Sequence, residues 1–505
     1  MADTLLDYNK QNPYLPEALR AFVGATDRMS KQDYTQFIAM FNGVEQQAIF
    51  NNKTAAEFAS GFTDLNYRYL RSGAAPRLKK IVVDKTVGRV YYQSKVDEKV
   101  LQEKFDKDYF SDVLYKAFDE TAQTGRSICV VYGDSENPEL INITSYNLFR
   151  HKVIYDKKKN IKEAWMYIVD IKGSKAGFEY VICEHRYYNT KGEPMQRFEV
   201  HGVTYENSNK RDAKTRALED DEISKDILSN YDIKFNVEQK LDMSTIGVYD
   251  IVYTKTNSKF IDVDIPEAMF VDAVDNAMAL DTSITDKEVE KEVGRGQLLI
   301  PEFGMGSDIG QYQTQASAGS RMLRTVTRTY RSPYIMPYPT RSVEDSKPTV
   351  VQFDIRSEQW NAQIDNDTAR LCASVGVGII DFDPRLLQTG QRTDDEINAM
   401  TDITIQTVKT FRDINTRKVN ALLGCVCELL GIPQPVAIRW SMAAILNPTK
   451  NTELVSKQLE RGLISRKEAL KRLNPDYTDN EIEQLLDDIN NEIENTTITT
   501  AFSNF

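Results

Sequence analysis

The stretch that decides the fold is residues 355–430. It opens with IRSEQWNAQIDNDTARLCASVG (355–376), passes through VGIIDFDPRLLQTGQR (377–392) and continues as TDDEINAMTDITIQTVKTFRDINTRKVNALLGCVCELL (393–430). Ile355, Trp360, Ile364, Thr368 and Leu371 recur near helical spacing, and Gly376 and Gly378 supply a C-terminal stop. Pro384 and Gly390 then forbid a helix or regular strand, so the middle piece reads as a loop. Thr393 caps the next helix, with Glu396 completing a capping box. Ile397, Met400, Thr404, Val408, Phe411, Ile414 and Val419 mark its buried face, and neither Pro nor Gly occurs before Gly424. Unbroken from Asp394 to Leu430, it would span about 55 Å at 1.5 Å per residue, against roughly 11–12 residues for an average helix. Such a helix is expected to be the spine of an assembly, with Gly424 and the run of threonines as the places where it could break.

The chain has 505 residues, 41% hydrophobic and 27% charged, which is ordinary globular composition and enough for two to four domains. Its 63 basic and 75 acidic residues leave a net charge of −12, which excludes a protein that coats nucleic acid with a basic surface; any DNA contact must be local. Cys129, Cys183, Cys372, Cys425 and Cys427 are odd in number, lack metal spacing and sit mostly in apolar runs, as buried free thiols do. The start, MADTLLDYNKQNPYLPEALR, has no basic region followed by an apolar one, and no apolar run approaches the ~20 residues of a spanning helix.

Residues up to Arg71 are helical in pattern, interrupted at Gly24, Gly43 and Gly61, and a further amphipathic helix starts near Lys99 and ends with LYKAFDETAQ. At Gly125 the period changes: SICVVYGD is a strand, and AWMYIVDI, FEYVICEHRYY and QRFEVHGVTY predict a meander with turns at Lys172-Gly173 and Lys191-Gly192. SNKRDAKTRALEDDEISK (208–225) is expected to be a solvated loop or short helix. A polar connector leads to Pro266, read as the first residue of a helix reaching Val293, with eight acids and two lysines between Glu267 and Glu292. Gly294 and Gly296 end it, and QLLIP begins an insert of different composition. Between Gln311 and Arg341 this insert holds Arg321, Arg324, Arg328, Arg331 and Arg341 and no acid. The helices on either side of the insert are expected to be antiparallel neighbours. Beyond Leu430, GIPQPVAIRWSMAAI predicts a strand and then a turn at Asn447-Pro448. Capping boxes follow at Ser465/Glu468 and Thr478/Glu481, with Asn474-Pro475 separating the helices. Ile482, Leu485, Leu486, Ile489 and Ile493 line one stripe of a last helix that carries eight acids and no base between Asp476 and Glu494.

No catalytic constellation emerges. His151, His185 and His201 have no ligand spacing. Asp262 with Asp264, and Asp381 with Asp383, lack the further ligands a metal site requires. GRGQ (294–297) is without the Lys-Ser/Thr of a phosphate loop, and Gly-x-Ser-x-Gly is absent. Neither a catalytic residue, a metal ligand nor a cofactor is assigned, and the expectation is a non-enzyme.

The order of acidic helix, inserted module, helix, loop, long helix and acidic helical end resembles the portal proteins of tailed bacteriophages, in particular those of siphophages of Gram-positive hosts. Five stretches carry the resemblance: FSDVLYKAFDETAQTGRSICVVYGD (110–134), INITSYNLFRHKVIYD (141–156), IPEAMFVDAVDNAMALDTSITDKEVEKEVGRGQLLIPE (265–302), VVQFDIRSEQWNAQIDNDTARLCASVGVG (350–378) and RGLISRKEALKRLNPDYTDNEIEQLLDDI (461–489). It covers about Lys99 to Glu494. The resemblance implies an α+β portal fold: a mixed α/β wing (1–265), a first stem helix (266–293), a small α/β clip (294–354), a second stem helix (355–376), a tunnel loop (377–393), a spine helix with a strand of the wing (394–446) and an α-helical crown (447–505). The tip of the loop, LLQTGQR, departs from the glycine-rich version the family leads one to expect.

The family further implies a homo-oligomeric ring, typically dodecameric, at one capsid vertex of the virion, assembled in the host cytoplasm. Through it double-stranded DNA is packaged and later ejected, with the terminase large subunit and a head-completion or adaptor protein docking on it, major capsid and scaffolding proteins as further partners, and no membrane. On this reading Arg385, Gln388, Thr389, Gly390, Gln391 and Arg392 face the DNA from the tunnel loop, and the arginines at 321, 324, 328, 331 and 341 form a docking surface on the clip. The alternative is a minor capsid or head protein without a channel.

Overall fold

The computed structural model describes residues 41, 43–59, 72–88, 90–93, 109–133, 141–172, 179–205, 213–219, 234–254, 257–258, 263–293, 297–301, 311–315, 325–329, 335–338, 349–351, 356–383, 394–432, 437–440, 448–474, 477 and 481–490. It is a mixed α+β chain of two compact units. One comprises the described parts of Met1–Thr63, Gly73–Val274 and Cys372–Phe505, the other those of Asp64–Ser72 and Asp275–Leu371.

In the first unit, helices α1 (Gly43–Ala59) and α2 (Ala74–Val87) precede strand β1 (Val90–Gln93), helix α3 (Tyr109–Thr124) and strand β2 (Arg126–Tyr132). The run ICVVY (128–132) is apolar because β2 is buried on both faces. Towards one side Ser127 meets α3, its hydroxyl donating to the Ala117 carbonyl at 2.8 Å. Towards the other, Ile128, Val130 and Tyr132 pack on Ile161, Ala164 and Met166 of the neighbouring sheet. Strand β2 is the centre of a three-stranded antiparallel sheet between β3 (Asn142–Asn147) and β10 (Val248–Val252). The expected meander is present as β4 (His151–Tyr155), β5 (Ile161–Lys172), β6 (Glu179–Tyr188), β7 (Pro194–Tyr205) and β8 (Ala213–Ala217), with β9 (Gln239–Lys240) also on β7.

Two sequence expectations fail in this unit. Residues 213–217, taken as part of a solvated loop or short helix, form β8, because β7 offers them a free edge from His201 to Tyr205 and backbone pairing outweighs their charge. Pro266 does not begin a helix. Its carbonyl accepts from Asn52 Nδ2 at 2.7 Å and the Ala268 N–H donates to Asn52 Oδ1 at 3.2 Å. With Ala268, Met269, Phe270 and Val271 buried, the segment is held as core-filling turns, and helix α4 runs from Val274 to Val293.

The second unit contains most of α4, strands β11 (Gln297–Pro301), β12 (Gln311–Gln315), β13 (Thr325–Thr329), β14 (Ile335–Tyr338) and β15 (Thr349–Val351), and the first part of helix α5 (Ser357–Val375). Strand β11 pairs parallel with β14 and antiparallel with β15, and β12 pairs antiparallel with β13. The insert was expected to be α/β; its described residues are all strand.

Back in the first unit, the one-turn helix α6 (Ile379–Phe382) precedes α7 (Asp394–Leu429), after which come β16 (Ala437–Trp440), α8 (Pro448–Glu460), α9 (Arg466–Leu473) and a helical stretch over 481–490. Helix α7 has 36 residues and is unbroken, passing through Gly424 and through every threonine. Strand β16 pairs antiparallel with β1, an element the sequence pattern did not disclose. Ser465 caps α9, accepting from the Glu468 N–H at 3.1 Å, but the Glu468 carboxylate turns to Arg472 at 2.9 Å, so the capping box is only half made. Thr478 lies outside the described residues. Ile482 is buried, as the apolar stripe requires, and all five cysteines are buried free thiols.

Arg412 of α7 ends α2: its Nε donates to the Thr86 carbonyl at 2.7 Å and its Nη2 to the Lys85 carbonyl at 2.8 Å, so a fixed cation satisfies two orphan carbonyls at the negative end of that helix. Replacing Arg412 by Ala should cost on the order of 2 kcal/mol in a urea titration, with the slope against urea unchanged. Lys, whose single ammonium cannot fork to both carbonyls, should recover less than half.

Candidate functional site

The site singled out from the sequence is the loop between α5 and α7. Arg385, Gln388, Thr389, Gly390, Gln391 and Arg392 lie outside the described residues; what is described is how that loop is rooted. Helix α5 ends on Gly376 in the left-handed region, φ +73°, with the Gly376 N–H on the Ala373 carbonyl and the Val377 N–H on the Cys372 carbonyl, the paired bonds of a Schellman stop. A side chain there is excluded twice, since a Cβ would stand 2.5 Å from Thr407 Oγ1. That hydroxyl donates to the Gly376 carbonyl at 2.7 Å, and one turn earlier on α7 the Thr404 hydroxyl accepts from the Gly378 N–H at 2.7 Å and donates to Asp381 Oδ2 at 2.5 Å. Lys85 of α2 holds the other oxygen of Asp381 at 2.8 Å, Ile380 is buried, and the Arg77 guanidinium lies 4.8 Å from the Phe382 ring centre.

The loop expected over 377–393 therefore begins with a fixed turn of helix. The sequence placed Asp381 with Asp383 as a conceivable metal pair. The structure instead gives Asp381 to Lys85 and Thr404. Thr404 and Thr407, suspected of breaking the long helix, are the residues that anchor the turn. Their spacing of three was the signal: two short hydroxyls on one face of a long helix, opposite a Gly-x-Gly turn rich in unpaired backbone groups.

In the second unit α4 and α5 run antiparallel, as expected, and polar rungs fix their register. Ser283 donates to Asp367 at 2.7 Å, Lys287 to Asn361 at 2.7 Å, and Glu290 accepts from the Arg356 N–H at 3.1 Å and from its Nε and Nη2 at 3.1 and 2.9 Å, as well as from the Trp360 indole. At the other end of α4, Asp281 accepts from the Ser72 N–H at 2.8 Å. Among the described residues of this unit, the buried apolar side chains are Ala277, Leu280 and Leu371, while Met278 and Val289 are exposed. Of the five insert arginines, Arg328 lies on β13, opposite Tyr312 of β12; Arg321, Arg324, Arg331 and Arg341 lie outside the described residues.

The histidines are internal fittings. His151 is buried with Nδ1 facing the Asn147 carbonyl at 2.7 Å; burial and the charge of Arg126 lower its pKa to about 3, so it is neutral near pH 7. His185 and His201 grip the two oxygens of Glu199 at 2.6 and 2.7 Å. Burial disfavours the Glu199 anion, and these hydrogen bonds more than offset it, holding its carboxyl well below the usual range. Among the described residues no cluster of three or more His, Cys, Asp or Glu is arranged to hold a metal, and no helix is long and apolar enough to cross a membrane.

The anchored root and the hairpin give two measurable outcomes. Thr404→Val removes the hydroxyl shared by Gly378 and Asp381 at constant shape. Amide exchange at Gly378 should accelerate with a stability loss of about 1–3 kcal/mol, whereas Thr410→Val on the same helix is the neutral control. Glu290 is held down to about 2 from 4.5, chiefly by its hydrogen bonds from Arg356 and then from Trp360. A carboxyl with a depressed pKa stabilises the folded hairpin fully above its unfolded value of 4.5, and the contribution vanishes as pH falls towards 2. Protection of the amides of α4 and α5 should therefore fall across that window, and Glu290→Gln should remove this part of the pH dependence.

No protein-family model matches the sequence, and no curated protein sequence matches it. Among solved structures, the chain is similar to one in the virion of a native gene transfer agent particle, at 10% identity and TM-score 0.41, covering 84% of this chain and 92% of that one. It is also similar to one in the neck of an empty gene transfer agent particle computed with C6 symmetry, at 9% identity and TM-score 0.39, covering 85% and 93%. At these values the functional reading rests on the chain's own residues.

Proposed function

We propose that the chain is the portal subunit of a phage-like particle, a non-enzymatic protein that assembles with copies of itself into a ring around a channel for double-stranded DNA. The observation that carries this reading is the succession of antiparallel helices α4 and α5 joined through a strand insert, a glycine-stopped turn with a tethered loop root, and then a 36-residue helix. That is the order of stem, clip, stem, tunnel loop and spine which the sequence resemblance implies.

Two physical features support it. A helix pair whose described residues bury only Ala277, Leu280 and Leu371 as apolar side chains is a poor independent structure, and neighbouring copies would supply the missing burial. Its acid-rich α4, with six carboxylates against two lysines, suits a wall along which DNA slides, because a channel that neutralised phosphates would gain a counterion-release contribution to binding with each one and hold the duplex fast. In this reading Gln388, Thr389, Gly390 and Gln391 touch the duplex through neutral groups, while Arg385 and Arg392 add a salt-screened attraction. The arginines at 321, 324, 328, 331 and 341 meet acidic surfaces of the packaging motor and of the head-completion protein. The ring would occupy the capsid vertex, with residues after 447 forming a crown whose acidic surface repels packed DNA.

The mass of the purified particle in solution and negative-stain images of it are the test. Closed rings of about a dozen copies with an open axial hole are expected, and a cysteine placed at Gln388 should crosslink to packaged DNA or around the axis. A monomer or dimer at all concentrations, or a particle without a hole, overturns the conduit in favour of a minor head protein. Arg321, Arg324 and Arg328 changed together to Ala should leave rings intact and stop packaging; rings that fall apart would assign those arginines to contacts between subunits.

A further inference from the structure

Beside the start of β2 lies a cavity of about 310 Å³ lined by Arg126, Tyr155, Lys159, Asp250, Asp264 and Lys418, with apolar residues and Thr254 and Asn257 of the same unit making up the rest of its wall. Gly125 makes it. With φ +93° and the Pro266 carbonyl oxygen only 2.5 Å from where a Cβ would stand, the chain turns too tightly for any other residue, and it delivers Arg126 as the first residue of the strand. On the far side, α7 contributes Lys418, three residues beyond Asn415, whose amide brackets the Val252 N–H and carbonyl at 2.9 and 2.8 Å.

Arg126 is 5% exposed. Its Nη2 donates to the Asp264 carbonyl, its guanidinium carbon stands 5.3 Å from the Tyr155 ring centre, and its Nε has no partner among the described residues. Both carboxylates of the cavity are engaged by other groups. Asp250 takes Lys418 on one oxygen at 2.6 Å and the Tyr155 hydroxyl on the other at 3.1 Å, and Asp264 takes Lys159. Three cations thus face two carboxylates, and the charge left over belongs to the buried guanidinium. One donor of the guanidinium is taken by the Asp264 carbonyl, and no carboxylate neutralises its charge, so an oxyanion in the cavity would supply the missing counter-charge.

We propose that this cavity binds a small free oxyanion, a phosphate or a carboxylate carried by a compact molecule, with Arg126 as the anchor and Lys418 and Lys159 completing the positive side. The guanidinium fork matches the paired oxygens of either group. The volume lies at the small end of the roughly 300–1,000 Å³ typical of ligand sites, and the burial of Arg126 keeps the phosphates of a DNA duplex out of reach. The inference is independent of the portal reading.

Calorimetric titration of the full-length protein at low salt with inorganic phosphate, pyrophosphate and citrate tests it, since the first two offer phosphate oxygens and the third only carboxylates. At least one should bind with Kd below about 1 mM, and Arg126→Gln should weaken it about tenfold or more. Arg126→Lys keeps the charge but loses the fork, and is the variant to read if the Gln protein does not fold. Lys159→Ala, at a side chain 71% exposed, should fold normally and weaken binding about threefold. The proposal is overturned if none of the three anions binds, or if binding is unchanged in folded Arg126 variants.

Discussion

A single helix carries polar side chains at intervals along its length, and the pieces of the first unit are fastened to it by hydrogen bonds to their backbones. On α7, Thr404 and Thr407 hold the turn at Gly376–Asp381, Arg412 closes α2, Asn415 brackets β10, Asn420 accepts from the Ile438 N–H of β16 at 2.8 Å, and Glu428 takes both the N–H and the hydroxyl of Ser244. Between these sites Val408, Phe411, Val419, Leu422, Leu423 and Val426 are buried. Apolar contact supplies most of the free energy but is indifferent to small slides along the helix. Each hydrogen bond is worth only about 0.5–1.5 kcal/mol net, but it is directional, and together they fix where along α7 each element sits.

The same division of labour appears where the sheet of β2 meets the sheet of β6. Arg186 is fully buried, with its Nε on Glu184 at 2.6 Å, its Nη1 on the Val131 and Ile246 carbonyls at 2.8 and 3.1 Å, and its guanidinium over the Tyr132 ring, while the Tyr132 hydroxyl donates to the free oxygen of Glu184 at 2.7 Å. Gly247, at φ +64°, leaves room for it: a Cβ would come within 3.1 Å of Nη1. Burying such a pair is weak evidence for stability, because desolvation consumes much of the Coulombic gain. Its geometry nevertheless allows one stacking of β6 against β2 and β10.

What could be read from the sequence was what depends on local pattern. The length of α7, the stop at Gly376, the buried run of β2 and the meander all follow from periodicity and from glycines in places only glycine tolerates. What could not be read was set by distant partners. Pro266 looked like a helix start because nothing local shows that Asn52 will occupy the backbone groups around it. Residues 213–217 looked solvated because their charge is local and the free edge of β7 is not. The loop residues proposed to meet DNA lie outside the described residues, and under the proposed function their partners would be DNA and other copies of the chain, which the pattern of one sequence does not show.

The rungs between α4 and α5 have a mechanical consequence. Ser283–Asp367 is buried, so salt has little hold on it, whereas Arg356, at the far end of the pair, is 62% exposed and its bond to Glu290 is open to screening. The two helices form a strut graded in stiffness, rigid at the Asp367 end and yielding at the Arg356 end as ionic strength rises. Under the proposed function, a strut of that kind would pass axial load along its length while letting the strand insert at its compliant tip rock on a docked partner.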